Sequence, residues 1–382
     1  MFKLYQRYLA ASFIPPFGMS LFFFVCFLLT TQLFRLMRVV TKKGVGLDVM
    51  FELFGQIALA YLPMVVPLAL LFAMIYTLNK LSEDSEIVAI RAMGISKEKL
   101  FMPFIVLAVL CSVSIFSVNR NIIPHSNKLF QNTVLKLTSS GFLADIKKEK
   151  FYTEIPGVIL FAEDVYDDGK KMERVFIKIK SNSDKEKIIF AKRGALIKTE
   201  DLDNPSLDIR LDLFEGNITS LDKDGDKVEK ILFQKYEFPI VSDTTSGTLN
   251  KDTMKTNTEL IARIKNYKGQ LPNLEGDPNK YREIRYLLRN SQLEYWSRYN
   301  IPLQCIAFVL IGFVFGVKKG RGKSGNTTLF AFVAVLIYYL CFFGGISLVK
   351  KSNLEPYVAI FFPTIMTLIF GSYFYKKLDW AS

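Results

Sequence analysis

LFGQIALAYLPMVVPLALLFAMIYTLN, residues 53–79, runs for 27 residues without a charge. A helix needs roughly 20 such residues to cross a bilayer, because about 30 Å must be spanned at about 1.5 Å per residue with every backbone group bonded inside the segment. The stretch is therefore read as a membrane span. Five further charge-free runs meet the same demand: Tyr8–Phe34, Leu100–Asn119, Tyr299–Val317, Ser324–Val349 and Pro356–Tyr375. Three runs precede residue 120 and three follow residue 298, with one polar insert between. The expected fold is an α-helical polytopic membrane protein with six transmembrane helices, arranged 3+3 around an inserted domain.

The whole-chain numbers agree. Of 382 residues, 50% are hydrophobic and 22% charged, too apolar for a disordered chain or an ordinary soluble enzyme. The net charge of +13 could suggest nucleic acid, but Lys and Arg gather beside the apolar runs or scatter through the insert, as membrane topology requires. Cys26, Cys111, Cys305 and Cys341 all lie inside apolar runs, which argues against a disulfide framework. A single histidine, His125, argues against histidine-rich metal sites and leaves a catalytic triad one candidate base. No cofactor and no nucleic-acid partner are expected.

Lys3 and Arg7 before the first run resemble a signal peptide, but the run is too long and lacks a small-residue cleavage site. It reads as an uncleaved span. With the N-terminus inside, the short inner segments carry twelve Lys and Arg and the short outer ones six. This bias favours both termini inside and the insert outside, periplasmic in a bacterial inner membrane. Pro63, Pro67 and Pro103 lie within spans and remove backbone donors there. They fit either a bent helix beside a cavity or a packing kink.

In the insert the pattern becomes alternating. Leu207, Ile209, Leu211 and Leu213 alternate with charges, as do Val175, Ile177 and Ile179 with Phe176 and Lys178, the period of half-buried strands. Val158–Ala162, Ile188–Lys192, Ala195–Thr199 and Ile231–Phe238 are further candidates, so a β-sandwich or jelly roll is expected. Ser242–Asn257 reads as a linker, and Thr258 as the cap of a helix with Leu260, Ile261 and Ile264 on one face. The domain reading is 1–124 transmembrane, 125–256 periplasmic β-domain, 257–298 helical connector and 299–382 transmembrane. Acid pairs such as Glu163-Asp164 read as solvated turns, and no catalytic constellation stands out.

Two segments could carry function. In Lys80–Lys99, Ser82 could cap a short helix whose first turn holds Glu83, Asp84 and Glu86, with Gly94 at its stop and Ser96 opening the next helix. Such a helix can dock into a partner's groove and transmit motion, or simply connect two spans. Beyond the first span, Arg35, Arg38 and Lys42 recur on one helical face beside Lys43. They could bind lipid phosphates or anchor the span by snorkelling. GVKKGRGKS, residues 316–324, is no P-loop, because Val317 stands where the leading glycine belongs and a membrane helix precedes it.

The run of residues 68–96, LALLFAMIYTLNKLSEDSEIVAIRAMGIS after Pro67, with FEGN at 214–217 and LEYWSRYNIPLQ at 293–304, resembles the LptF/LptG lipopolysaccharide export permeases, LptF more than LptG. The resemblance covers nearly the whole chain. It implies a transport permease rather than an enzyme, with ATP hydrolysed by a separate subunit. Implied partners are an LptG-like permease subunit in a heterodimer, an LptB-like ATPase dimer, and LptC- and LptA-like periplasmic proteins that receive the lipid. It also implies that Glu86 is the coupling-helix carboxylate meeting the ATPase, with Glu83, Asp84, Arg91 and Gly94 in the same motif. Arg35, Arg38, Lys42 and Lys43 would meet the lipid's phosphates, and spans one and five would form lateral gates. A permease for another lipid usually has four spans, and a membrane-anchored binding or scaffold module predicts no ATPase partner. An intramembrane enzyme would need a nucleophile–base pair that the sequence does not offer.

Overall fold

The computed structural model describes residues 4–43, 47–145, 148–152, 158–167, 171–180, 185–199, 208–222, 228–239, 251–274, 278–317, 325–351 and 354–378. In chain order these form α1 (Leu4–Lys43), α2 (Leu47–Glu83), α3 (Glu86–Ala92), α4 (Lys97–Ser117), a π-helical turn (Val118–Ile122) and α5 (Ile123–Asp145). Six strands follow: β1 (Phe151–Tyr152), β2 (Val158–Tyr166), β3 (Lys171–Lys180), β4 (Lys185–Thr199), β5 (Asp208–Asp222) and β6 (Val228–Pro239). The chain ends with α6 (Asn257–Gln270), α7 (Pro278–Gly316), α8 (Gly325–Lys351) and α9 (Pro356–Lys377). Among the described residues, six helical stretches are long and apolar enough to cross a membrane, contributed by α1, α2, α4 continued into α5, α7, α8 and α9. Phe22, Phe23, Leu329, Leu340 and Ile369 stand exposed on them, as lipid-facing side chains do. The chain divides into two compact units, one of residues 1–36, 54–127 and 252–382, the other of residues 37–53 and 128–251.

In the helical unit, lipid tails are as apolar as leucine, so close approach and polar bonds must hold helices together. Both occur. A Cβ built on Gly312 of α7 would lie 2.8 Å from Met74 Cβ and 3.2 Å from the Leu71 carbonyl oxygen, and one on Gly316 would lie 3.0 Å from Leu78 Cβ. These two glycines, one turn apart, let α7 lie directly against α2. Earlier along α7, Asn300 forms a buried ring with Tyr338 of α8 and Thr364 of α9. The Asn300 amide donates to Tyr338 Oη at 3.2 Å, Thr364 Oγ1 donates to Asn300 Oδ1 at 2.7 Å, and Tyr338 Oη lies 3.1 Å from Thr364 Oγ1. Since the threonine proton is committed to Asn300, Tyr338 is the donor in the third bond, and every member both gives and receives. Gln304 adds a bond to Tyr339 Oη at 3.3 Å.

A polar knot closes the end of this unit where α6 meets α7. Arg298, 1% exposed, donates to Glu294 Oε1 at 3.0 Å and to Asn257 Oδ1 at 2.8 Å, while Ser291 Oγ donates to Asp252 Oδ1 at 2.8 Å. A guanidinium so deeply placed is tolerable because its donors are met. Asn257 opens α6, whose cap is Thr256 in a reciprocal capping box with Glu259, in place of the expected Thr258. Leu260 of α6 is buried, but Ile261 is exposed.

The strands form one antiparallel sheet in the consecutive order β1 to β6. Its buried face carries Leu160, Val175, Ile177, Ile189, Leu211 and Leu213. One line crosses β2 to β6 where each of their four ladders lacks a rung: Glu163 opposite Arg174, Arg174 opposite Lys192, Lys192 opposite Glu215, and Glu215 opposite Gln234. The register is the same on both sides of this line, so no residue is inserted; the sheet is creased. Arg174 and Glu215 take φ of 51° and 52° there, left-handed values that cost a non-glycine residue about 1–2 kcal/mol. Charges across the crease offset that cost. Arg174 pairs with Glu163 and Asp164, and Glu215 accepts from Lys192 at 3.0 Å and Arg193 at 2.7 Å. These two bonds, Lys192 first, hold the Glu215 carboxyl below the usual carboxylate range. Burial alternation changes phase at the crease, so Ala191 and Gly194, three apart, are both buried.

Candidate coupling site

The Lys80–Lys99 segment folds as a short helix between two joints. α2 runs on to Glu83, so Glu83 and Asp84 precede α3 instead of forming its first turn, and Ser82 spends its hydroxyl on the Leu78 carbonyl at 2.6 Å. The cap position falls to Ser85, whose backbone is left-handed at φ 62° and whose side chain makes no capping bond. Ser82 could not cap, because the apolar pattern of α2 continues through the buried Leu81 and carries the helix past it. The far end matches expectation: Gly94 takes φ 73° and donates to Arg91 O at 2.8 Å, and Ile95 N donates to Ile90 O at 3.4 Å. This is a Schellman closure, which favours glycine because the position is left-handed. Lys97 begins α4 after Ser96.

Inside these joints, α3 buries Ile87 and Ile90, one turn apart, in the same apolar cluster as Leu9, Leu78, Leu81 and Leu100. Val88 and Met93 are 49% and 66% exposed, leaving an apolar outer surface. Glu86, the first residue of α3, accepts a hydrogen bond from the Tyr8 hydroxyl of α1 at 2.8 Å. A groove of about 750 Å³ runs between α1 and α3, lined by Tyr5, Arg7, Tyr8, Glu86, Ala89 and Ile90. The site offers a rigid helical ridge with a carboxylate at its start, an exposed apolar flank and a joint at each end.

α1 continues helically through Lys43, so positions 35, 38, 42 and 43 stand on it; their side chains lie outside the described residues. Lys318, Lys319, Arg321 and Lys323 also lie outside them. An apolar cleft of about 690 Å³ lies among α7, α8 and α9, with Phe315, Phe330, Ile337, Phe362 and Met366 in its wall. Sequence reasoning missed Tyr8, which carries no signal until α3 is folded against α1. It also missed the roles of Glu294, Arg298, Asn300 and Gln304, although all four stand in the LEYWSRYNIPLQ stretch.

Comparison with known proteins agrees with this architecture. The chain is 21% identical over 376 residues to uncharacterized protein RP871 of Rickettsia prowazekii (strain Madrid E), covering 97% of this chain and 98% of that protein. The family model described as "Lipopolysaccharide export system permease LptF/LptG" matches residues 7–377. A match of that extent takes in the helices, the creased sheet and the α3 ridge together, and the chain belongs to the LptF/LptG family of lipopolysaccharide export permeases.

Proposed function

We propose that this chain is an LptF-like permease subunit of an ATP-driven exporter that extracts lipopolysaccharide from the outer leaflet of a Gram-negative inner membrane. The observation that carries the reading is α3 itself: a seven-residue ridge between two left-handed joints, in a chain whose family works in lipopolysaccharide export. The chain pairs with a homologous LptG-like subunit, and each presents its ridge to one copy of an LptB-like ATPase. Glu86 supplies the carboxylate for a cation of the ATPase, Val88 and Met93 the apolar contact, and Glu83, Asp84 and Arg91 the charged rim. Gly94 lets the ridge stop and pivot. Closure of the ATPases on nucleotide pushes the two ridges and narrows the cavity between the subunits.

Both termini lie in the cytoplasm and the sheet unit in the periplasm, in the 3+3 arrangement. Arg35, Arg38, Lys42 and Lys43 meet the phosphates of the glycolipid where it leaves the outer leaflet. The creased sheet forms part of a jelly roll whose apolar face receives acyl chains and passes them to LptC- and LptA-like proteins. Exposing acyl chains to water costs about 0.8 kcal/mol per CH₂, so an apolar path lowers a large penalty and ATP supplies the remainder.

The test is Glu86→Lys. Reversing this charge places two cations face to face and should reduce ATPase co-purification about tenfold or more, the range for one buried charge-assisted contact. Unchanged co-purification and unchanged lipid export would defeat the assignment.

A further inference from the structure

The bond between Tyr8 and Glu86 joins parts of the chain 78 positions apart. Tyr8 is not fixed by packing: its ring is 49% exposed and stands between two hollows. On one side is the groove between α1 and α3 described above. On the other is a pocket of about 270 Å³ whose lining includes Tyr8, Ser12, Pro15, Thr77, Lys80 and Asp84. A half-exposed aromatic ring flanked by open space is held mainly by its hydroxyl. That hydroxyl takes one oxygen of Glu86 and leaves Oε2 to accept from a docking cation, so the same carboxylate can serve both chains at once.

We propose that Tyr8 is a positioning residue that latches the foot of α1 to the ridge through Glu86, so that displacement of α3 reaches α1 directly. The inference rests on the reading of α3 as the ATPase contact. Three features of the fold support it. α3 is set off from α2 and α4 as a separate unit by the left-handed backbone of Ser85 and Gly94 at its two ends. Leu9, beside Tyr8 in sequence, and Phe13 on the next turn of α1 share the cluster that holds Ile87 and Ile90, so the polar latch is backed by apolar contact. Pro15 and Pro16 then remove two successive backbone donors within α1. A helix bends most readily where such bonds are missing, so a pull on Tyr8 swings the foot of α1 about a defined point.

The latch makes a prediction that docking alone does not. In the full export complex, reconstituted in proteoliposomes with lipopolysaccharide as the probe, Tyr8→Phe removes one hydroxyl and keeps the ring. The ATPase should co-purify in wild-type amount and hydrolyse ATP, while lipopolysaccharide released per ATP falls about tenfold, as expected for one hydrogen bond to a charged group. Wild-type release per ATP would overturn the latch. Loss of the ATPase from the Tyr8→Phe complex would also overturn it, in favour of a purely structural role. Glu86→Lys, measured in parallel, separates the two levels: if it leaves ATPase binding intact, the underlying reading of α3 fails, whereas if only Tyr8→Phe is silent, the latch alone fails.

Discussion

Gly216→Ala opens the β-sheet to protease while leaving the membrane helices folded. The new Cβ would lie 2.1 Å from the Phe190 carbonyl oxygen, 2.5 Å from Phe233 Cζ and 3.0 Å from Ala191 Cα. Two of these three atoms are fixed, one in the backbone and one a Cα, so rotamer changes cannot relieve the contact. β4 and β5 must separate beside the crease, where Glu215 already holds a left-handed backbone. The expected cost is about 3–4 kcal/mol, a large part of what a small domain has to lose. Gly194 provides the internal control. A Cβ there meets Val175 Cγ2 at 3.1 Å and leucine methyls beyond 3.4 Å, all ends of side chains that can give. Gly194→Ala should therefore cost less than about 1.5 kcal/mol. Limited proteolysis and hydrogen exchange of the full chain in detergent distinguish the two; equal protection in both variants would mean that the crease does not need its glycine.

The second large effect belongs to the helical unit. Gly312→Leu drives a side chain into Met74 and the Leu71 carbonyl, where even one carbon is too close. In a bilayer little else recovers the lost α2–α7 contact, because lipid competes equally for apolar surface. Overpacking of this kind costs about 1–3 kcal/mol and should lower the thermal stability of the detergent-solubilised chain accordingly. Gly344, which has nothing within 4 Å of its built Cβ, is the matched position. Gly344→Leu should leave the melting curve unchanged, and equal losses at both sites would remove close approach as the reason for Gly312.

The glycines also show what a sequence gives up and what it keeps. All six spans were legible because bilayer thickness sets their length and excludes charge, two constraints written residue by residue. Strands were legible wherever alternation held, as at Leu211 and Leu213. β4, however, reads as two strands, Ile188–Lys192 and Ala195–Thr199, because the alternation slips at Lys192 and Arg193. That slip is the crease, and its meaning lies in the partner strands, not in β4. Ser82 and Thr258 looked like caps by type and spacing. The caps fell to Ser85 and Thr256, because the apolar face of α2 runs past Ser82 and the Arg298 knot buries Asn257 as the first residue of α6. Of the candidate site, Glu86 was visible as a charge and Gly94 as a stop signal. Tyr8 was not, since the hydrogen bond that joins it to Glu86 spans 78 positions.

The role of this chain as a permease subunit is tested most directly by affinity purification from detergent-solubilised membranes, with partners and bound lipid identified by mass spectrometry. A homologous six-span subunit, a soluble ATPase and a phosphorylated glycolipid should be recovered together with it. Recovery of the chain alone, under conditions that keep a known multi-subunit transporter intact, would overturn the exporter reading and leave a membrane-anchored module without a transport role.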